Sequence, residues 1–403
     1  MSQRLLAGVK VADFAWALVG PISTKILSDY GADVVKIEGK SRPDSRRLGP
    51  PFKDNVPGWN RSSCFNPYNT GKMSLALNLS SPKGTEIAKR LVAWADIVVE
   101  NFAGGAMRRM GLGYEELVKI KPDIIMLSSS PMGQTGPYYS APAIGVHLTA
   151  LCGINYIAGW PDRGPAVLDS YTDFISPNFN TLAILAALDY RRRTGKGQYL
   201  DLSQYEDCIH FMAPLVLDYD VNRRVDKRTG NRYSNSAPHN AYRCRGDDRW
   251  CAIAVFNERQ WDGLIKVLNS PIWANDPKFG SVSLRKENED ELDKLIEEWT
   301  IDRSAQEVMD LMQASGVSAG VVQTAPELLD YDPQLKHRHF FWEVDHPEVG
   351  KYRAPRPPYI LSKSPCQVQR APLIGEHNEY VLKEILNMSD EEIAELVVEG
   401  VIE

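Results

Sequence analysis

The sequence predicts an α/β fold with a large Rossmann-like domain, built on a parallel sheet, and a smaller α/β domain. Three observations favour this class. Strand and helix signals alternate through the first 135 residues, a long apolar helix is followed by one more strand near residue 200, and a second strand–helix series begins near residue 250. Short apolar strands separated by helices imply parallel pairing through right-handed crossovers.

Runs of β-forming residues predict strands at Val9–Phe14, Ala32–Glu38, Met73–Leu79, Asp96–Asn101, Asp123–Ser129 and Tyr199–Leu202. Helices are expected at Gly20–Tyr30, Pro82–Ala95, Tyr114–Lys121 and Asn178–Arg193. Pro21 suits the first turn of its helix, and Gly31 and Gly195 suit helix C-termini.

The polar stretch 218–240 is predicted to be a linker. The second strand–helix series, which forms the smaller domain, is expected to begin with Trp250–Phe256. Its helices are expected at Glu258–Leu268, Glu289–Trp299 and Ser304–Ala314. Prolines across 351–371 indicate a long extended return, and a capping box at Ser389–Glu392 opens the last helix. The predicted organisation is therefore 1–217 for the first part of the large domain, 218–240 for the linker, 241–330 for the small domain and 331–403 for the return.

Composition excludes several classes of protein. Of the 403 residues 43% are hydrophobic and 24% charged, so the chain can bury a core. A net charge of −6 disfavours a nucleic-acid partner. No apolar run approaches the ~20 residues that span a membrane, and the opening residues lack a signal-peptide stretch. The six cysteines are scattered, which is typical of reduced thiols, so we expect a cytoplasmic protein with no membrane partner.

Familiar cofactor motifs are missing from the sequence. The first strand-to-helix turn, Trp16–Pro21, has no Gly-x-Gly-x-x-Gly with which to approach a pyrophosphate. The chain also lacks a phosphate-binding P-loop and a histidine pattern with metal-ligand spacing. We therefore expect no metal site and no permanently bound cofactor.

Asp173 is the strongest candidate for chemistry. It precedes the long apolar helix, where the helix dipole favours an ionised carboxylate. Such a carboxylate in a dry cleft can attack an acyl carbon. Asp173 could instead cap the helix, and the local sequence alone favours this second role. Asp169 is a nearby competitor.

Short stretches spread over nearly the full length share the order and spacing of one family pattern. They are Gly8–Phe14, Gly20–Pro21, Leu27–Glu38, Asn69–Leu79, Ala95–Phe102, Arg109–Glu115, Arg192–Gln198, Gly316–Gly320, Asp332–Leu335 and Gly375–His377. On these residues the chain resembles the family III CoA-transferases, the group of CaiB/BaiF proteins and formyl-CoA transferases.

This resemblance places the family's aspartate nucleophile on Asp173, which lies 22 residues before Gly195, whereas Asp169 lies 26 before it. It implies transfer of CoA between acids through an aspartyl anhydride and an aspartyl-CoA thioester, with CoA thioesters as substrates. It also implies an interlocked dimer of two ring-like chains, formed as a homodimer or with a related subunit.

The resemblance also implies a set of CoA-binding residues: Leu18, Val19, Lys40, Leu77, Asn78, Leu79, Ser80, Asn101, Phe102, Ala103, Arg109, Ala143, Ile144, Gly145 and Val146. Guanidinium and ammonium groups suit CoA phosphates. Lys40 and Arg109 could also be solvated surface cations.

Two departures bear on the substrate. Leu18 replaces a glutamine of the formyl-CoA branch, and the glycine-rich lid of that branch has no counterpart near Phe256–Arg259. The context of Asp173 looks closest to the benzylsuccinate branch, with succinyl-CoA as donor. Five aromatic residues would suit a bulky acid or could be core: Trp16, Tyr139, Tyr156, Trp160 and Tyr171.

Two alternatives stay open at this point. Related racemases use a histidine at the position of Ile144, and His147 lies three residues later. The chain could also be a non-catalytic subunit of a hetero-oligomer, although an intact Asp173 argues against that.

Overall fold

The computed structural model describes residues 4–403 in two compact units. Met1, Ser2 and Gln3, which begin the stretch that lacks signal-peptide character, lie outside the described residues. The larger unit comprises the chain up to Ile154, Val167–Val225 and Gln334–Glu403. The smaller unit comprises Asn155–Ala166 and Asp226–Pro333.

A six-stranded parallel sheet forms the centre of the larger unit and confirms the predicted fold class. Its strands are β1 (Lys10–Asp13), β2 (Asp33–Glu38), β3 (Met73–Ala76), β4 (Ile97–Glu100), β5 (Ile125–Ser130) and β6 (Gln198–Ser203). Their order is β3-β2-β1-β4-β5-β6, with every neighbouring pair parallel. The winding therefore reverses between β1 and β4, and ligands of such sheets bind beyond the carboxyl ends of the strands at that point.

Helices cover both faces of this sheet. Up to Val225 the larger unit forms α1 (Val19–Asp29), α2 (Pro82–Trp94), α3 (Ala106–Arg109), α4 (Tyr114–Ile120), α5 (Gly145–Leu151), α7 (Tyr171–Thr194) and α8 (Gln204–Asn222), whereas α6 (Ile154–Ile157) belongs almost entirely to the smaller unit. Because side chains alternate along a strand, Val11 joins the core beneath α1 and α7, whereas Ala12 joins the core beneath α2 and α4. Both faces of β1 to β5 are buried, which explains apolar runs such as Ile97–Val99, whereas the edge strand β6 alternates between half-buried and exposed residues.

Helix α7 differs from its predicted bounds. It begins at Tyr171, not at Asn178, and continues through Pro177. A proline lacks an N–H and removes the hydrogen bond to the carbonyl four residues earlier, here that of Asp173. That loss falls within the opening turns, so the helix tolerates it. Asp173 therefore lies inside the first turn of α7 rather than ahead of the helix.

The segment expected to be a linker is partly helical. Helix α8 continues to Asn222, and Arg223 ends it in a left-handed conformation with φ 57°. The charged residues after Leu217 suggested a linker, but they occupy the exposed side of the last turns of α8.

The smaller unit contains a three-stranded antiparallel sheet of β7 (His239–Arg243), β8 (Trp250–Ala254) and β9 (Ser318–Val321). Its helices are α9 (Glu258–Val267), α10 (Val282–Glu287), α11 (Glu289–Thr300) and α12 (Ala305–Ala314). Apolar side chains from α9, α11 and α12, including Leu264, Leu292 and Val308, pack with strand residues in a separate core.

The last part of the chain returns to the larger unit at Gln334, within α13 (Pro333–His337). A hairpin of β10 (Phe341–His346) and β11 (Gly350–Pro355) occupies part of the segment that we expected to be extended. Helices α14 (Asn378–Tyr380) and α15 (Asp390–Val398) follow, and Ser389 and Glu392 form the predicted capping box. The backbone N–H of Glu403 donates to Ala76, which fixes the C-terminus beside β3.

Candidate active site

The loop between β1 and α1 is held rigidly at the point where the sheet reverses its winding. The side chain of Asn101 accepts a hydrogen bond from the Trp16 N–H and donates one to the Trp16 carbonyl, both at 2.8 Å. A Cβ at Gly20 would lie 2.1 Å from that of Ala15, so only glycine fits there. The predicted CoA ligand Asn101 is thus a residue that positions this loop.

Buried charges fix the segment after β2 against the same loop. Lys36 donates to the Ala15 carbonyl at 2.7 Å and pairs with Asp44 at 2.9 Å. Asp44 in turn accepts the backbone N–H groups of Ala17 and Arg46 at 3.0 and 2.9 Å. Since each of these charges is paired and hydrogen-bonded, burial is tolerated and the geometry becomes specific.

Asp173 lies three residues after Ser170, which is the N-cap of α7. Its carboxylate is partly buried and accepts a hydrogen bond from the Thr172 hydroxyl at 3.3 Å. Within residues 4–403 no backbone N–H donates to this carboxylate, so the helix-cap interpretation is wrong. A Cβ built on Gly145 would lie 3.1 Å from Asp173 Oδ1, which places the start of α5 directly against the carboxylate.

Burial raises the pKa of Asp173 to about 6. The Arg46 guanidinium opposes this effect and lowers the pKa, whereas the negative charge of Asp169 adds to it. The carboxylate is therefore still about nine-tenths ionised at pH 7 and is poorly solvated. A desolvated anion of this kind is a stronger nucleophile than an exposed aspartate.

A cavity of about 420 Å³, which we call the Arg109 cavity, gathers many of the expected CoA-binding residues. Its lining is Trp16, Glu38, Gly39, Ser41, Arg42, Leu77, Asn78, Leu79, Ser80, Phe102, Ala106, Arg109 and Met110. Trp16 and Phe102 meet edge to face, with ring centroids 5.6 Å apart. Lys40 is exposed between two lining residues and does not itself line the cavity.

A second cavity of about 450 Å³, the Arg46 cavity, lies in the same unit. It is lined by Leu18, Arg46, Ser63, Cys64, Tyr68, Leu168, Asp169, Ser170, Tyr171 and Phe174. The Tyr68 and Phe174 rings meet edge to face, with centroids 6.0 Å apart. Since Ser170 and Tyr171 begin α7, this cavity is adjacent to the turn that carries Asp173.

Arg42 and Arg46 were missed by the sequence analysis. Both lie in the segment after β2, at the carboxyl edge of the sheet. Basic side chains at that edge are a signal that could have drawn attention to them.

Several expected CoA-binding residues line neither cavity. Val19 is buried as the first residue of α1, and Ala103 is partly buried before α3. Ala143 and Val146 flank the contact of Gly145 with Asp173, whereas the side chain of Ile144 is 65% exposed.

The five aromatic candidates lie in different parts of the structure. Tyr171 lines the Arg46 cavity and Trp16 the Arg109 cavity. Tyr139 packs beside Gly104, and Tyr156 and Trp160 belong to the smaller unit. The sequence therefore identified one of the aromatic residues in the Arg46 cavity.

His147 has a local structural role. It is exposed, and its Nδ1 accepts the backbone N–H of Ile144 at 3.3 Å, at the start of α5. This contact uses one ring nitrogen for helix capping, as expected for a histidine without an acid–base role.

Neither a membrane span nor a metal cluster is found in the part of the chain that the structure describes. Its helices are too short or too polar to cross a bilayer. No group of three or more His, Cys, Asp or Glu side chains within residues 4–403 is arranged to hold a metal ion.

Comparisons with known proteins agree with this geometry. Residues 6–378 match the model of CoA-transferase family III. The chain is 33% identical to a succinyl-CoA–D-citramalate CoA-transferase of Chloroflexus aurantiacus, covering 99% of this chain and 98% of that protein. It is 32% identical to a succinyl-CoA:glutarate CoA-transferase of Mus musculus, covering 100% and 91%. A crystal structure of a CaiB/BaiF family protein from Brucella suis superimposes with a TM-score of 0.86 at 32% identity, covering 94% of this chain and 99% of that one. The chain therefore belongs to CoA-transferase family III and is a CoA-transferase.

Proposed function

We propose that this enzyme moves CoA from succinyl-CoA to a dicarboxylic acid, with Asp173 as the covalent carrier. The observation that carries the proposal is the desolvated, uncapped Asp173 carboxylate beside Gly145 and next to the Arg46 cavity. Its relatives support the substrate class, because they include CoA-transferases named for succinyl-CoA with D-citramalate, glutarate, L-malate or mesaconate. All four acceptors carry two carboxylates.

The proposed chemistry needs one carboxylate and the thiol of CoA. Asp173 attacks the thioester carbonyl of succinyl-CoA, giving an aspartyl–succinyl anhydride and CoA thiolate. The thiolate attacks the aspartyl carbonyl, which releases succinate and leaves an aspartyl-CoA thioester. The acceptor carboxylate then displaces the thiolate to form a second anhydride, and the thiolate attacks the acceptor carbonyl. Product acyl-CoA leaves and the Asp173 carboxylate is regenerated.

The Arg109 cavity is the proposed site for the nucleotide part of CoA. Arg109 and Arg42 supply positive charge at its rim for the phosphates. Leu77 and Met110 supply apolar surface. Lys40 lies between the lining residues Gly39 and Ser41, where its positive charge would attract the CoA phosphates over a longer distance.

The acceptor is proposed as a class rather than as one compound. The Arg46 cavity has aromatic walls and one cation, which suits an acid with an apolar backbone and a second carboxylate. Benzylsuccinate is the aryl-bearing member of that class. A panel of glutarate, citramalate, mesaconate and benzylsuccinate, each incubated with succinyl-CoA and followed by chromatography of the CoA thioesters, identifies the acceptor.

The covalent intermediate is tested by trapping. Enzyme incubated with succinyl-CoA and then hydroxylamine should carry an aspartyl hydroxamate, located at Asp173 by mass spectrometry. Asp173→Asn should give neither hydroxamate nor transfer. The matched control, Asp169→Asn, should still give the adduct at residue 173. An adduct at Asp169, or transfer by Asp173→Asn, would remove the proposed nucleophile.

The same experiments separate the two alternatives. A racemase changes the configuration of an α-methylacyl-CoA with no free acid present, whereas CoA transfer requires the acceptor acid. A non-catalytic subunit forms no hydroxamate by itself.

We also infer that the enzyme works as a dimer, as the family resemblance implies. Helices α7 and α8 expose large apolar side chains, including Leu182, Phe211 and Leu217, which a second copy would cover. Light scattering after gel filtration should give twice the 45.2 kDa chain mass.

A further inference from the structure

Two adjacent arginines in the Ser45–Leu48 turn have opposite environments. Arg47 is fully buried and donates to both carboxylate oxygens of Glu38, at 2.8 and 2.7 Å. Its remaining N–H groups reach Asn60 and backbone carbonyls, and its guanidinium stacks 3.6 Å over Phe65. Arg47 therefore has no donor left for a ligand.

The guanidinium N–H groups of Arg46 are not used by the described part of the chain. The hydrogen bonds and ion pairs within residues 4–403 include none from its guanidinium. Its backbone is nevertheless fixed, because its N–H donates to Asp44 at 2.9 Å and Asp44 is itself held by Lys36. The guanidinium thus lines the Arg46 cavity from a rigid base, and no protein carboxylate uses it.

Most of the other side chains in this cavity are apolar or aromatic and suit a carbon chain, whereas Ser63, Ser170 and the acidic Asp169 are its polar members. Tyr68, Phe174 and Leu18 provide aromatic and apolar walls. The guanidinium is also close enough to Asp173 and to Tyr68 to influence the charge of each group electrostatically. The Arg46 guanidinium and the Asp173 carboxylate, close to one largely apolar cavity, can therefore hold the two ends of one substrate.

We propose that Arg46 binds the remote carboxylate of the dicarboxylic acid while the other carboxylate reacts at Asp173. The proposal rests on the proposed function and adds the residue that selects diacids over monoacids. Arginine suits this task because its planar fork gives two parallel hydrogen bonds to a carboxylate. Donor and acceptor acids occupy the site in turn, so Arg46 recognises the succinyl group of succinyl-CoA in the same way.

The test compares glutarate with pentanoate, which has the same chain length and one carboxylate. Arg46→Gln should lower kcat/KM for glutarate about 10- to 100-fold, mainly through KM, because a hydrogen-bonded charge pair is lost. The value for pentanoate should change less than about threefold. Where transfer to pentanoate is too slow to follow, its inhibition constant against glutarate gives the same comparison. Arg46→Lys should recover part of the glutarate activity.

The outcomes separate the two proposals. An equal loss for glutarate and pentanoate, or a loss in kcat with KM unchanged, would overturn the role of Arg46 and leave CoA transfer in place. Failure of the wild-type enzyme to form any acyl-CoA from succinyl-CoA would overturn the proposed function instead. The circular dichroism spectrum and melting temperature of Arg46→Gln should match those of the wild type, since the side chain makes no internal pair.

Discussion

Replacing Asp173 by asparagine should abolish transfer and at the same time stabilise the protein at neutral pH. The folded carboxyl releases its proton near pH 6 because burial raises its pKa, whereas the ordinary value is 3.8. Folding therefore carries a penalty of about 3 kcal/mol at every pH above 6, from 1.36 kcal/mol per pKa unit. The penalty shrinks between pH 6 and pH 4 and disappears below pH 4, where the carboxyl is protonated in both states. Asparagine keeps the shape and removes the charge.

The gain can be measured as a melting temperature. The larger unit has about 280 residues, and unfolding entropy near the midpoint is about 2.1 cal/mol/K per residue, so 3 kcal/mol corresponds to at most about 5 °C. Differential scanning calorimetry of Asp173→Asn should show this increase at pH 7.5 and none at pH 4. Asp169→Asn, which removes an exposed carboxylate, should change the melting temperature by less than about 1 °C. A lower melting temperature for Asp173→Asn at pH 7.5, or a gain that persists at pH 4, would refute the burial argument.

Three further predictions follow from the same geometry. The pH profile of kcat/KM for succinyl-CoA should fall on the acid side with a midpoint near pH 6. Arg46→Gln should move that midpoint to higher pH, because the guanidinium lowers the pKa of Asp173. An unchanged midpoint would contradict this electrostatic coupling. Gly145→Ala should reduce kcat at least about tenfold and also lower the melting temperature, because the new Cβ would lie 2.8 Å from the backbone Cα of Ser170 and 3.1 Å from the Asp173 oxygen. Arg109→Gln should raise the KM for succinyl-CoA about tenfold and leave the KM for the acceptor unchanged, as steady-state kinetics with each substrate varied will show; an equal rise in both would place Arg109 outside the CoA site.

The fold was largely predictable because five of the six strands of the sheet are buried on both faces. Strands such as Ile97–Glu100 are short apolar runs bounded by helix signals, and that pattern has few other solutions. The start of α7 was not predictable in this way. The predicted start at Asn178 left Pro177 and the turn before it outside the helix, but Ile175 and Ser176 are buried, and their packing holds that turn in helical form. Tertiary contacts decided that boundary, and propensity alone could not.

The candidate site was predictable only where a charge lies in a recognisable pattern. Asp173 was proposed from its position near a helix start and from the family resemblance, and Arg109 from the resemblance alone; the structure places one on the first turn of α7 and the other in a cavity lined by Leu77–Ser80. The capping role that local sequence favoured for Asp173 failed, because Ser170 holds the N-cap position and the carboxylate points instead towards Gly145. The direction in which a side chain points at the start of a helix depends on tertiary packing, and a short stretch of sequence does not determine that packing.

Arg46 and Arg47 show most clearly what the sequence leaves open. They are neighbours of the same type, and in a 3₁₀ turn consecutive side chains point about 120° apart, so one can enter the interior while the next faces a cavity. Which of them is buried is decided by Glu38, which lies nine residues before Arg47 and ends β2 with its carboxylate inside the protein. That carboxylate binds Arg47, and within residues 4–403 no hydrogen bond or ion pair engages the Arg46 guanidinium. The buried Arg47–Glu38 pair therefore fixes the turn, and the fixed turn holds Arg46 at the cavity next to the start of α7, where we propose that it binds the remote carboxylate of the acid.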